Sequence, residues 1–233
     1  MLIGENETVS LHNDKILDFL QQEAAQMNSA LSQEYSDSLT KKQQLSTYAD
    51  ILQVPNSPTT PELIQVAAGI LSQDLTQSIM LQADKPLMTQ WDSHEDNSNN
   101  QHRCYKNLFD RLNFLMETLE STDDINGQSL LETTTIIVAS EMGRTPKYNS
   151  AQGKDHWPYT SMMMLGAGIQ GGRVVGRTDD YMMGKKISLS SGEATENGTS
   201  LTIANCIAGL LNSCDIDSAE YFPESEPFTA PFG

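Results

Sequence analysis

Apolar positions recur at helical spacing through the first quarter of the chain and give way to short unbroken runs in the second half. Across residues 11–53, Ile16, Leu17, Phe19, Leu20, Ala24 and Met27 lie on one stripe, and Tyr35, Leu39, Leu45, Tyr48, Ile51 and Leu52 repeat it more weakly. That spacing predicts two long amphipathic helices, each with a solvated face. Pro55, Pro58 and Pro61 then interrupt the pattern, because a proline lacks a donor and restricts the residue before it. Pro61 also suits the first turn of a new helix over residues 62–71, with Thr60 as its cap. Residues 77–82, QSIMLQ, read as a short strand, and residues 101–119 return to a helical stripe through Tyr105, Leu108, Leu112, Leu115 and Leu119. Turn chemistry at Asp123-Asp124-Ile125-Asn126-Gly127 separates that helix from residues 133–139, TTTIIVA.

This last run is β-branched and uncharged, as in a strand buried on both faces of a parallel sheet. Strand, helix and strand then form one βαβ crossover, with parallel neighbours. Further on, residues 161–168 predict a second buried strand, 171–176 a short strand or hairpin, and 186–189 a small β element. Residues 199–211 predict a helix whose core side carries Ile203, Cys206, Ile207, Leu210 and Leu211. The tail, 220–233, with three prolines and three phenylalanines, is expected to lie extended over the body. The organisation expected is a helical segment over 1–60, packing on an α/β domain over 61–233.

Composition narrows the function classes. At 233 residues the chain can bury a sizeable core. Its 14 basic and 31 acidic residues leave a formal charge of −17, which repels nucleic acid and anionic membranes and leaves a small ligand or a metal as the easier partner. Cys104, Cys206 and Cys214 match neither a disulfide framework nor a paired zinc motif, and are expected to be buried thiols. No apolar run approaches the roughly 18 residues of a membrane span. The first residues, MLIGENETVS, lack the basic-then-apolar pattern of a signal peptide.

Candidate chemistry gathers after the uncharged strand, in ASEMGRTPKYNSAQGKDHW (residues 139–157), and in QWDSHEDN (residues 90–97). Ligands collect beyond the carboxyl ends of strands in open α/β sheets, so the location is informative. Asp92 and His94 lie two apart, and on an extended segment both side chains point the same way, as two ligands of one ion need. Imidazole with carboxylate suits zinc, manganese or iron. The competing reading is a decorated surface loop. Glu141, directly after the strand, needs a partner or a metal if buried, and an ion pair with Arg144 is the plain alternative. Arg144 has the planar fork that clamps a phosphate or sulfate group. Asp155 and His156 add a second carboxylate–imidazole pair beside Trp157. Glycines at 166, 168 and 171 match a dinucleotide fingerprint only weakly, and neither Ser140 nor Ser161 lies in a nucleophile elbow.

Four segments in order, QWDSH at 90–94, SEMGRTP at 140–146, GKDHWP at 153–158 and GIQGGRVVGRTD at 168–179, resemble the signatures of the bacterial family called domain of unknown function 1501. The resemblance covers roughly residues 62–217. It implies an alkaline phosphatase and sulfatase-like superfamily fold, an α/β sandwich with a mostly parallel sheet flanked by helices. By the same resemblance Asp92, His94, Glu141, Asp155 and His156 are metal-ligand candidates for a divalent ion such as zinc, manganese or calcium, and Arg144 steadies a small anionic ester. Glu141 stands where the superfamily has an Asp-His pair, and no early strand with an acidic ligand and a Ser, Thr or Cys nucleophile precedes Asp92. This chain is therefore expected to be a C-terminal part that lacks the first strands. Two functions stand open, a metal-dependent phosphate or sulfate ester hydrolase and a non-catalytic binding domain on the same fold. Family members carry twin-arginine export signals, which implies a periplasmic or secreted protein, whereas the first residues alone are compatible with the cytoplasm.

Overall fold

A computed structural model describes residues 54–82 and 91–232, together with residues 37, 38, 40, 48 and 49. The chain divides into two compact units, Met1–Pro55 and Asn56–Gly233. The helices expected over residues 11–53 lie outside the described residues but for those five positions.

Helix α1, Thr60–Ser72, begins one residue after its cap, Thr59. The Glu62 carboxylate accepts from the Thr59 main-chain N–H at 2.6 Å, and the Thr59 hydroxyl oxygen accepts from the Glu62 N–H at 3.4 Å. Two otherwise orphaned donors are thereby satisfied, and Pro61 needs none. The cap is thus Thr59, with Thr60 already inside the helix. Residues 77–82 form no strand. Ile79, Met80 and Leu81 are exposed there, so the βαβ crossover lacks its first strand.

Helix α2, Asn97–Glu120, is longer than its apolar stripe, because its first turn is polar and capped by another segment. The Asp96 side chain makes no cap bond. Instead the N–H groups of Asp96 and Asn97 donate to the carbonyls of Ala151 and Gln152, at 3.3 and 3.0 Å. Helix α3, Leu130–Thr133, leads into strand β1, Thr135–Val138. Strands β2, Gly143–Arg144, and β3, His156–Trp157, pair with each other, and β4, Met163–Gly166, pairs with β1.

Both pairings are antiparallel. Among the described residues the fold is α/β in the general sense of helices with small antiparallel sheets, in place of the expected parallel neighbours. A strand buried on two faces and one buried beside a hairpin partner carry the same uncharged composition, so TIIV alone cannot distinguish them. Register places Ile136 opposite Leu165 and Val138 opposite Met163. These residues pack with Ala68, Leu112, Leu119 and Leu130 into the main core. Leu119 is almost wholly buried, a contribution of roughly 2 kcal/mol.

A second, smaller core holds Ile187, Leu189, Phe228 and Ala230, so the tail does pack over the body. The strand expected over 171–176 is absent, and the β element at 186–189 reduces to bridges from Ile187 to Ala194 and Thr199. Helix α4, Ile203–Ser213, turns only part of the expected face inward, with Cys206 against the second core and Leu210 and Leu211 partly buried. Asn205, Ala208 and Gly209 are buried, while Ile203 and Ile207 are exposed. The reason is proximity, since a Cβ on Gly209 would lie 2.0 Å from the Phe228 carbonyl oxygen. Only a small-residue face lets the tail approach, and Asn205 fastens it by donating to the Glu226 carbonyl at 2.7 Å. Of the cysteines expected to be buried, Cys104 is, Cys206 is partly so, and Cys214 is exposed. No described helix is long and apolar enough to cross a membrane.

Candidate functional site

Two loops that are distant in sequence are joined by main-chain bonds before any side chain contributes. Lys154 N–H donates to the Ser93 carbonyl at 2.9 Å, and Glu95 and Gln152 form a bridge. With the two carbonyls that cap α2, these bonds lay residues 93–97 against residues 151–154. Both sides bend sharply. Asp96 and Gln152 have φ of 43° and 56°, left-handed conformations that favour glycine and cost a residue with a Cβ about 1 kcal/mol. Below them Ser93 is fully buried, its hydroxyl donating to Asn97 Oδ1 at 2.9 Å and accepting from Gln101 Nε2 at 3.1 Å. Burial of Ser93 leaves its neighbours Asp92 and His94 turned toward solvent.

Strands β2 and β3 bring in the other half. Thr145 N–H donates to the Asp155 carbonyl at 2.9 Å, and the register sets Arg144 directly opposite His156. Residues directly opposite share a face, so the guanidinium and the second imidazole lie together. The His94 and His156 rings are 4.8 Å apart between centroids and tilted by 60°.

Asp92 Oδ1 and His94 Nδ1 are in direct contact. An ionised carboxylate only accepts, so Nδ1 carries the proton and donates it. The Nε2 lone pair is then the available one. This is how a carboxylate fixes the tautomer of a histidine used as a ligand or a base. The bond from the His94 ring, then the His94 main-chain N–H, then the charge of Arg144 hold the Asp92 carboxyl below its ordinary range. Asp92 therefore stays an anion, able to accept from Nδ1, into acid conditions.

Arg144 is the least exposed charged group here, with 20% of its side chain accessible against 43% for His94 and 61% for Asp92. Its Nη1 donates to the Lys154 carbonyl at 3.1 Å and its Nη2 to the Trp91 carbonyl at 3.3 Å. Nη1 also lies 3.3 Å from His94 Nδ1, and Nη2 lies 3.6 Å from Asp92 Oδ1. Because Nδ1 carries its own proton, the Nη1 approach is a contact and not a donated bond. The guanidinium thus fastens the two loops and steadies Asp92, and much of the fork expected to clamp an anion is spent on carbonyls.

The remaining candidates are placed less closely. Glu141 is exposed and makes no ion pair with Arg144, which turns to Asp92 instead. The chain leaves β1 at Val138, and two residues of loop, Ala139 and Ser140, carry Glu141 into water, which removes the desolvation cost expected at a strand end. Asp155 is exposed as well and lies immediately before β3. Its Oδ1 accepts from Asn149 Nδ2 at 3.1 Å. Asn149 carried no signal of its own beyond membership of the polar loop NSAQG, yet it bonds both the His94 carbonyl and Asp155.

His94 and His156 have the chemistry of a zinc or manganese ligand pair, one of them already oriented by a carboxylate. No third donor joins them among the described residues. Among the described residues no group of three or more His, Cys, Asp and Glu side chains is gathered to hold an ion. Of the candidate ligands only the two imidazoles are brought together, with Asp92 orienting His94 and Glu141 and Asp155 apart.

No curated protein and no solved structure matches this chain. A sequence profile described as "Protein of unknown function (DUF1501)" does match, over residues 13–221, and includes every residue of the site. With so much of its length matched, in the loops as well as the helices, this chain belongs to the DUF1501 family.

Proposed function

We propose that this chain is a metal-dependent hydrolase domain acting on a small phosphate or sulfate ester, with His94 and His156 holding the divalent ion. The observation that carries the reading is the imidazole pair itself, 4.8 Å between ring centroids, with Asp92 fixing the tautomer of one member. A divalent ion bound there would supply Lewis acidity and a water of lowered pKa. The chain's own residues do the rest. Asp92 fixes the tautomer of His94 through Nδ1, and Arg144 locks the two loops and brings a positive charge beside His94 to meet the ester anion within an otherwise acidic protein.

The proposal extends to architecture. The uncharged β1, with apolar residues on both faces, suits a place inside a larger, mostly parallel sheet of the alkaline-phosphatase-like kind. A periplasmic or secreted location belongs to the same reading.

One observation favours the second reading, a binding domain without catalysis. The hydroxyl nearest the Asp92–His94 pair in sequence, that of Ser93, is fully buried and committed to Asn97 and Gln101, so it cannot attack an ester. Incubation with generic phosphate and sulfate monoesters and added Zn²⁺, Mn²⁺ or Ca²⁺ separates the two. Metal-dependent turnover that disappears in His94→Ala and His156→Ala supports the hydrolase. Metal binding without turnover on any ester supports the binding domain.

A further inference from the structure

The Asn149 side chain has two N–H protons and two oxygen lone pairs, and all four are used. Nδ2 donates to the His94 carbonyl at 2.9 Å and to Asp155 Oδ1 at 3.1 Å. Oδ1 accepts from the N–H groups of Ala151 and Gly153, at 3.0 and 2.9 Å. The main chain of Asn149 is also engaged, its N–H donating to the Gly153 carbonyl at 2.9 Å and its carbonyl accepting from Gln152 at 3.2 Å. The oxygen side therefore builds the tight loop over residues 149–153. The nitrogen side reaches out of that loop to the two segments that carry the imidazoles, the main chain at His94 itself and the carboxylate immediately before His156.

We propose that Asn149 is the positioning residue of the two-histidine site and sets the separation of the His94 and His156 rings. This rests on the reading of those rings as a metal-binding pair. Without the amide nitrogen, the His94 carbonyl loses a donor and Asp155 loses its anchor, so the main chain entering β3 is free to shift. Neither change touches an imidazole, so the effect falls on geometry and leaves ligand chemistry intact. Partners that orient metal ligands in this way typically matter about 10–100-fold in affinity.

The test is Zn²⁺ affinity, measured by competition with a chromophoric chelator well below the unfolding temperature, on wild type, Asn149→Ala, Asn149→Ser, Asp155→Ala and the Asn149→Ala/Asp155→Ala double variant. Asn149→Ser guards against collapse of the loop, because a serine hydroxyl can take over an Asx-type turn but cannot reach Asp155. Both Asn149 variants are expected to bind Zn²⁺ about tenfold more weakly than wild type. Asp155→Ala is expected to lose less, and the double variant to match Asn149→Ala within about twofold, since the Asp155 tether acts only through Asn149. Unchanged Zn²⁺ affinity in Asn149→Ala and Asn149→Ser, with or without a lower unfolding temperature, overturns the positioning role and leaves the metal site standing. Fully additive losses in the double variant overturn it as well. A wild-type protein that binds no Zn²⁺ removes the metal site and this inference together.

Discussion

A Cβ on Gly153 would lie 1.7 Å from the His94 carbonyl oxygen, and main-chain atoms cannot yield as a side-chain tip can. Gly153→Ala is therefore expected to push the two loops apart and lower stability by about 2 kcal/mol, read as a fall in the denaturant midpoint at constant slope. Glu141 is the opposite case. It is exposed and its carboxylate has no ion pair, so Glu141→Ala should change stability by less than about 0.5 kcal/mol and leave Zn²⁺ affinity unaltered. A loss of Zn²⁺ on that substitution would restore Glu141 as a ligand. Residue types drew attention to Asp92, His94, Arg144 and His156, and the structure brings these four together. Asn149 escaped notice because its importance lies in partners 55 and 6 positions away, and an amide in a polar loop looks the same whether it binds water or holds a site.

Local chemistry was readable in the elements wherever the governing contact is local. Helix α1 follows from Pro61, although its cap is Thr59, one residue before the Thr60 that the pattern suggested, and Thr59→Ala is expected to cost about 1 kcal/mol in thermal or chemical unfolding, because it removes one half of a reciprocal cap. Little or no change would show that packing of Ile64, Ala67 and Ala68 holds the first turn without the cap. Other elements answer to distant contacts. The polar first turn of α2 owes its existence to carbonyls more than 50 positions later, and no pattern within residues 97–100 announces it. Helix α4 turns Ala208 and Gly209 inward because the tail carbonyl of Phe228 needs space, although amphipathicity pointed to Ile203 and Ile207. For β1, composition pointed to burial on both faces, whereas only Ile136 is buried and the others partly so, and it did not give the direction of its neighbour, which depends on where β4 returns.

At the scale of the whole molecule, a charge of −17 makes self-repulsion a standing cost at neutral pH, so moderate salt should raise the unfolding temperature by screening. Acid acts in the other direction through particular carboxylates. Asp92 is held low by the His94 ring, Glu62 by bonds from Thr59, and Asp124 by the Gln128 N–H. In each the folded value lies below the unfolded one, about 3.9 for Asp and 4.3 for Glu. Their stabilisation is thus complete above that range and is lost as pH falls through the lowered folded values. Equilibrium unfolding followed between pH 7 and pH 3 should show these contributions disappearing below about pH 4. Asp92→Asn should flatten that acid limb.

The central claim, that His94 and His156 form a metal site, is tested most directly by the Zn²⁺ content of chelator-treated protein after titration and removal of excess ion. We predict close to one equivalent in wild type and close to none in His94→Ala or His156→Ala. Zinc that stays bound in either variant, or that fails to bind wild type, would contradict it.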